Sequence, residues 1–356
     1  IVAADESVTA AASQDVRIDQ TPPVAVITID ATIAGDGIIN DAESSQPVVV
    51  TGEVSGDVNV GDLVTLMVGG EIYEGLVFEE NGTLTYAIEV PGVDLTNNAD
   101  LSMSASITPV DDAGNVGATA EASQSYAVDT VVEAVISVDD LPDENTIATR
   151  AYRGLDVTVT GVAGADAEEG DTVTLTVNDN DYSGSVDDQG RYSVDVPASE
   201  LVDQDNPEGT ERTLELTVTV EDEAGNEASA VTTTTALVRP VYEVQFTDSL
   251  VDGVRYSTTS GLSGTTGTNE TADDPVAAGS FLYRPGDTIT LTIGNVTLAE
   301  FSADQVVGDL LFLQDIANVG LQDVNLNYVE NMAILLQSLD ADGNPDNGIQ
   351  ITEETH

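Results

Sequence analysis

The sequence predicts a mainly-β protein: two tandem β-sandwiches in an elongated array, followed by a third β-rich domain with one C-terminal helix. Three observations predict it. A domain-sized repeat runs through the first two-thirds of the chain. Within each repeat, apolar and polar residues alternate with period two, the pattern of half-buried strands. Near the C-terminus one stretch changes to helical spacing.

The repeat can be read residue by residue. GDLVTLMVGGEIYEG (61–75) aligns with GDTVTLTVNDNDYSG (170–184), DDAGN (111–115) with DEAGN (222–226), and AVITID (25–30) with AVISVD (134–139). The period is about 110 residues, far longer than a solenoid repeat. In the second copy, Val173, Leu175 and Val177 alternate with Thr172, Thr174 and Thr176, and Leu214, Leu216, Val218 and Val220 repeat the pattern. About seven such runs per repeat, broken by Gly, Asn, Asp and Pro turns, fit an immunoglobulin-like sandwich. The expected boundaries are 1–20 (the tail of a preceding repeat), 21–129, 130–239 and 240–356. Asp19 and Asp129 occupy equivalent places at the repeat edges, whereas Arg239 and Pro240 break the pattern at the next one. That boundary is expected to be built differently.

Composition limits the function. The chain has 356 residues, with 65 Asp plus Glu against 8 basic residues, all Arg, for a net charge of -57. Such a charge excludes unaided binding to nucleic acid or an anionic membrane surface. It calls for neutralisation, for which hard divalent cations with oxygen ligands are suited, or for a surface kept soluble by repulsion. A hydrophobic content of 41% argues against a disordered acidic tail. There is no Cys, hence neither disulfide nor thiolate metal site. No apolar run is long enough to span a bilayer, and the N-terminal IVAADESVTA lacks the features of a signal peptide.

The order VDT, GDTVTLTVN, Y.G.V, G.Y.V.VP and D.AGN resembles the tandem immunoglobulin-like extension (extender) domains of giant bacterial adhesins of the repeats-in-toxin (RTX) class, which include biofilm-associated and ice-binding adhesins. The resemblance covers roughly residues 1–240. It implies a secreted, monomeric protein at the Gram-negative cell surface, with calcium at the domain junctions. Its partners would be the neighbouring domains of the same long chain. Glycan, protein or surface ligands would be reached through other, distal domains.

Candidate calcium ligands follow from the acidic loops. In the DAGN motifs, Asp111, Asp112 and Asn115, and likewise Asp222, Glu223 and Asn226, bring carboxylates and an amide oxygen together around a glycine turn. Asx turns use the same residues, but Asp19 and Asp129 at the edges favour the ligand reading. A second cluster opens each repeat: Asp30, Asp36 and Asp41 in the first, Asp139, Asp140 and Asp143 in the second, with Glu144 and Asn145 beside them. A solvated polar loop is its alternative.

In the third region, AAGSFLYRPGDTITLTIGNVTLAEF reads as strand, turn and hairpin. This region resembles a companion module of bacterial surface adhesins. Val329, Met332, Leu335, Leu336 and Leu339 predict a helix over 327–339, capped by Asn327 with Glu330. It runs into DADGNPDNG. There Asp340, Asp342 and Asn344 are spaced like the first ligands of an EF-hand, but Pro345 replaces the required glycine and Ile351 the closing glutamate. A shorter calcium loop closed by Asp346 or Glu353 and a helix-terminating turn both remain. The end at ITEETH suits either an inserted domain interrupting the module or a chain cut short.

No enzyme is expected: the only histidine is the terminal His356, and Cys and Lys are absent. The function predicted is a calcium-stiffened structural segment that projects distal ligand-binding domains. The alternative makes the third domain itself a glycan- or peptide-binding module, with Tyr256, Phe281 and Tyr283 as a platform, although core packing explains these aromatics more economically. Ice binding is assigned elsewhere, because long regular Thr or Asp arrays are lacking.

Overall fold

Alternation fixes what each strand of the first repeat buries. The computed structural model describes residues 18–247, 250–267, 277–317 and 326–356; residues 1–17, expected to end a preceding repeat, lie outside them. The first repeat runs through β1 (Ala25–Ile27), β2 (Ile38–Ile39), the single turn α1 (Asp41–Ser44), β3 (Pro47–Gly56) and β4 (Leu63–Val68). It continues with β5 (Glu71–Leu76), β6 (Phe78–Glu80), β7 (Thr83–Pro91), α2 (Gly92–Thr96), β8 (Ser102–Ile107), β9 (Ala120–Ser125) and β10 (Ala127–Val128). Two antiparallel sheets form, in the orders β1-β3-β7-β6 and β5-β4-β8-β9. Val48, Val50, Ile88 and Val90 of one sheet meet Val64, Leu66, Met103 and Ile107 of the other in a single buried core. This is a β-sandwich.

The second repeat reproduces that order with β11 (Ala134–Val138), α3 (Glu144–Tyr152), β12 (Asp156–Ala165), β13 (Thr172–Val177), β14 (Asn180–Ser185), β15 (Arg191–Pro197), β16 (Thr210–Glu221) and β17 (Glu227–Val238). Its sheets are β11-β12-β15 and β14-β13-β16-β17. The Val173-Leu175-Val177 face is buried, as is Leu214-Leu216-Val218-Val220. One element differs from expectation. The acidic stretch after β11 holds a nine-residue helix, α3, rather than only a loop. Its signal is short: Asp143 at the N-cap and Ile147, Ala148 and Ala151 buried on one face.

The third region contains β18 (Tyr242–Phe246), β19 (Val251–Asp252), β20 (Arg255–Thr258), β21 (Ser263–Thr265), β22 (Ser280–Tyr283), β23 (Thr288–Ile293), β24 (Val296–Ser302), β25 (Leu310–Leu311), α4 (Leu313–Ile316), α5 (Leu326–Ser338) and β26 (Ile349–Gln350). β23 and β24 form the expected hairpin across Gly294. Helix α5 buries Met332 and Leu336. Asn327 lies inside α5 and so does not cap it, a correction to the expected capping box. Tyr256 and Phe281 follow the core-packing reading: at 8% and 0% exposure, with ring centroids 5.3 Å apart, they are core residues and offer no platform.

The chain divides into two compact units. One comprises the chain up to Val132 together with Glu221–Glu227, the turn between β16 and β17; the other comprises Glu133–Val220 and Ala228–His356.

Candidate functional site

Within the first unit, each DAGN turn closes on itself. The Asn115 backbone N–H donates to Asp111 Oδ1 at 2.8 Å, and its Nδ2 donates to Oδ2 at 2.8 Å. Asn226 does the same to Asp222 at 2.9 and 2.8 Å. The glycine before each Asn has positive φ, 84° at Gly114 and 78° at Gly225, which is why the motif carries glycine there. The second amide proton reaches the repeat edge: Asn115 Nδ2 donates to the Asp19 carbonyl at 3.1 Å, and Asn226 Nδ2 to the Asp129 carbonyl at 3.0 Å. The carboxylates of Asp19 and Asp129 each accept from the backbone two residues on. The two edge aspartates therefore share these two contacts, as the repeat alignment implies.

These bonds favour the ionised carboxylate. The Asn115 amide is the main cause holding the Asp111 carboxyl below its ordinary range, and Asn226 acts alike on Asp222. A depressed folded-state pKa contributes stability above the unfolded value and loses it as pH falls through the folded one. Carboxylate NMR should place both midpoints below 3.8. The stability lost in Asn226→Ala at neutral pH should shrink on acidification through that range. Midpoints at or above 3.8 would contradict the clasp.

The second clasp goes further. Asn226 is buried, and its Oδ1 accepts the Asp41 backbone N–H at 2.7 Å. Asn40, which caps α1 in a capping box with Glu43, donates through Nδ2 to the Ala224 carbonyl at 2.9 Å. The Asn226 amide is thus committed at both ends, and both Asp222 oxygens already accept N–H donors. Beside this clasp, the acidic Asp41 and Glu227 line one cavity of about 510 Å³ together with Thr130, Val131 and Gly225. Glu227 escapes sequence reasoning because it stands just past the DEAGN motif, at the first position of β17.

The remaining candidates are dispersed. Asp30 accepts from Thr51 Oγ1, Asp36 from the Ile38 N–H, and Asp139 from Thr160 Oγ1, with Arg191 3.7 Å away. Asp140 lines a shallow hollow with Glu144. Asp143 caps α3 by accepting the backbone N–H and hydroxyl of Thr146, which lower its carboxyl pKa. Asp112 and Glu223 are exposed. In the C-terminal stretch, Asp342 accepts from the Asn344 N–H and from Asn347 Nδ2, both at 2.8 Å. Asp340 accepts from the Gln350 N–H, and Asp346 sits in the 3-10 turn Pro345–Asn347. This geometry is an Asx turn. Among the described residues, no three carboxylate or imidazole groups gather at metal-binding distance.

In the second unit, the boundary after β17 uses arginine. Arg239 makes a bidentate pair with Glu144, Nε to Oε1 at 2.8 Å and Nη2 to Oε2 at 3.0 Å, and its backbone N–H also donates to Oε1. Arg284, 2% exposed, lies 3.7 Å from the same carboxylate and donates to Asn145 Oδ1. Hydrogen bonds from Arg239 are the main cause lowering the Glu144 pKa, while burial lowers that of Arg284. The departure expected at Arg239 is therefore real. Arg284 passes unnoticed in the sequence because a lone Arg gives no sign of burial.

No protein-family model and no curated protein sequence matches the chain. Solved structures do. A calcium-stabilised adhesin that helps an Antarctic bacterium reach out and bind ice is 25% identical, covering 77% of this chain and 70% of its own, with a TM-score of 0.51. A 1.5-MDa bacterial ice-binding adhesin, studied for its host cell surface retention, is 26% identical over 77% of this chain and 93% of its own, with a TM-score of 0.49. A bacterial immunoglobulin-like domain from the M. primoryensis ice-binding adhesin is 33% identical over 29% of this chain and 96% of its own, with a TM-score of 0.26.

Proposed function

We propose, from the premise that this chain belongs to the tandem immunoglobulin-like extension domains of bacterial adhesins, that it is a spacer stiffened by calcium. It performs no catalysis. It works outside the cell, holding binding domains of the same long chain away from the bacterial surface. The observation that carries this reading is the repeated asparagine clasp, which fastens a loop of each sandwich to the chain at the repeat edge. Among the described residues, no helix is long and apolar enough to cross a membrane.

Calcium fits the cavity beside the second clasp better than it fits the clasp. The clasp oxygens accept N–H bonds, whereas the acidic residues Asp41 and Glu227 line one hollow, and calcium completes its shell with carbonyl and water oxygens. Asp41 and Glu227 would hold the ion, with Thr130 adjacent. A bound cation would relieve carboxylate repulsion and cross-link the clasp to the repeat edge. Any ion that binds only the ordered form stabilises it by mass action, about 2.7 kcal/mol at a hundredfold excess over Kd.

The test is calorimetry and small-angle X-ray scattering, with millimolar calcium and then with chelator. Calcium should raise the melting temperature and stiffen the chain, and Asp41→Asn with Glu227→Gln should remove most of both effects. An unchanged calcium response in the double variant would move the ion elsewhere. No response in the parent would leave the acidity as a solubility device.

A further inference from the structure

Aromatic residues are scarce in this chain, and three of them line one cavity. A cavity of about 510 Å³ in the second unit is lined by Tyr152 of α3, Tyr242 of β18 and Tyr283 of β22, with Glu243, Asp309 and Gln204. Three of the ten tyrosines thus share one hollow, in a protein without tryptophan. Its volume falls within the usual range of small-molecule sites. Tyr242 and Tyr283 are cross-strand partners with ring centroids 6.2 Å apart and planes tilted by 44°, and Tyr152 remains 37% exposed.

Some of the polar groups build the walls. Tyr152 donates its hydroxyl to Glu243, whose other oxygen accepts the Ala277 N–H at 3.1 Å, and Tyr242 donates to the Gln204 carbonyl at 3.2 Å. Others are left over. Among the described residues, the Tyr283 hydroxyl, the Asp309 carboxylate and the Gln204 side-chain amide make no hydrogen bond. The wall therefore offers aromatic surface, donors and acceptors, and among the described residues no cationic side chain lines it.

Those features select a ligand class. An anion would meet Glu243 and Asp309 with nothing to balance its charge. A cation would use the acceptors and rings but leave the Tyr283 and Gln204 donors unsatisfied. A sugar ring uses all of them: its C–H face lies on a phenol ring, and each hydroxyl both donates and accepts. We propose that this cavity binds a neutral carbohydrate through one pyranose ring, which adds a recognition function to the spacer role.

The experiment is saturation-transfer-difference NMR on the whole chain with glucose, galactose, mannose and N-acetylglucosamine at millimolar concentration. Sialic acid and tetramethylammonium serve as anionic and cationic comparators. Transfer to the ring protons of at least one neutral sugar is expected. Asp309→Asn, an exposed position, should weaken it about tenfold, the loss of roughly one charge-assisted hydrogen bond. Tyr283→Leu should abolish it, with melting temperature checked to confirm folding. Absence of transfer from all four sugars, an unchanged signal in Asp309→Asn, or binding of tetramethylammonium in their place would each overturn the proposal.

Discussion

Replacing Gly161 by alanine is expected to destabilise the second sandwich by about 3 kcal/mol, at the upper end of overpacking effects. Gly161 lies in β12 between two neighbours, opposite Val138 on β11 and Tyr192 on β15. The Tyr192 ring lies across it so that the hydroxyl can donate to the Ser137 carbonyl at 2.8 Å. A Cβ at 161 would stand closer than 3.0 Å to both that carbonyl and the tyrosine oxygen. The backbone is pinned by strand pairing on both sides, so the clash has no cheap outlet. The first repeat has the same device, with Gly52, Tyr86 and the Thr28 carbonyl at 2.8 Å. Burial, the larger cause, and the nearby Asp139 push the Tyr192 hydroxyl pKa up to about 12, keeping it a neutral donor. Tyr192→Phe should cost about 1 kcal/mol, since it leaves the Ser137 carbonyl short of a partner. Gly164→Ala supplies the control on the same strand, because a Cβ there meets nothing within 4 Å. Calorimetry showing Gly161→Ala no worse than Gly164→Ala would refute the argument.

Much of this fold was legible because period-two alternation and a repeated motif are local signals that tertiary packing had no reason to override. The core faces Val173-Leu175-Val177 and Leu214-Leu216-Val218 follow directly from the pattern. The equivalence of Asp19 and Asp129 was legible too, since both present a carbonyl to a DAGN asparagine. Other features depended on partners distant in sequence. Whether Asn226 offers its oxygen to a cation or to the Asp41 N–H is decided by a residue 185 positions away. The helix at Glu144–Tyr152 is too short for periodicity to separate it from an acidic loop. Tyr152, Tyr242 and Tyr283 come from three elements with no shared motif, whereas Phe281 went into the core, as packing economy suggests. Many of the candidate carboxylates accept hydrogen bonds within their own turns and strands, and among the described residues no three acidic or imidazole groups gather.

Removing the Glu144 carboxylate is expected to cost the second unit about 3 kcal/mol, because it strands a buried cation. Arg284 is 2% exposed, and arginine does not shed its proton at any working pH. Burial lowers its pKa, and Glu144 is the largest influence acting in the opposite direction. In Glu144→Ala, Arg284 would keep the Asn145 oxygen, two long contacts of 3.4 Å to the Arg239 carbonyl and the weaker influence of the Asp287 and Asp143 charges, which together do not replace the Glu144 carboxylate. Glu144 is itself 30% exposed, so water would soften the loss, and the figure belongs at the lower end for broken buried pairs. If stranding is the cause, adding Arg284→Met to Glu144→Ala should recover stability, whereas additive losses would mean that Glu144 acts mainly through Arg239. The same arrangement predicts a difference in calcium dependence. The Arg239–Glu144–Arg284 cluster carries two positive charges against one negative and offers a cation nothing to bind, while among the described residues no basic side chain lines the cavity that Asp41 and Glu227 share. Chelator should therefore accelerate hydrogen exchange at Ser44 and Asn226 while leaving Ile147 and Ala148 in α3 unchanged. Faster exchange in α3 after chelation would show that the arginine cluster does not hold that boundary by itself.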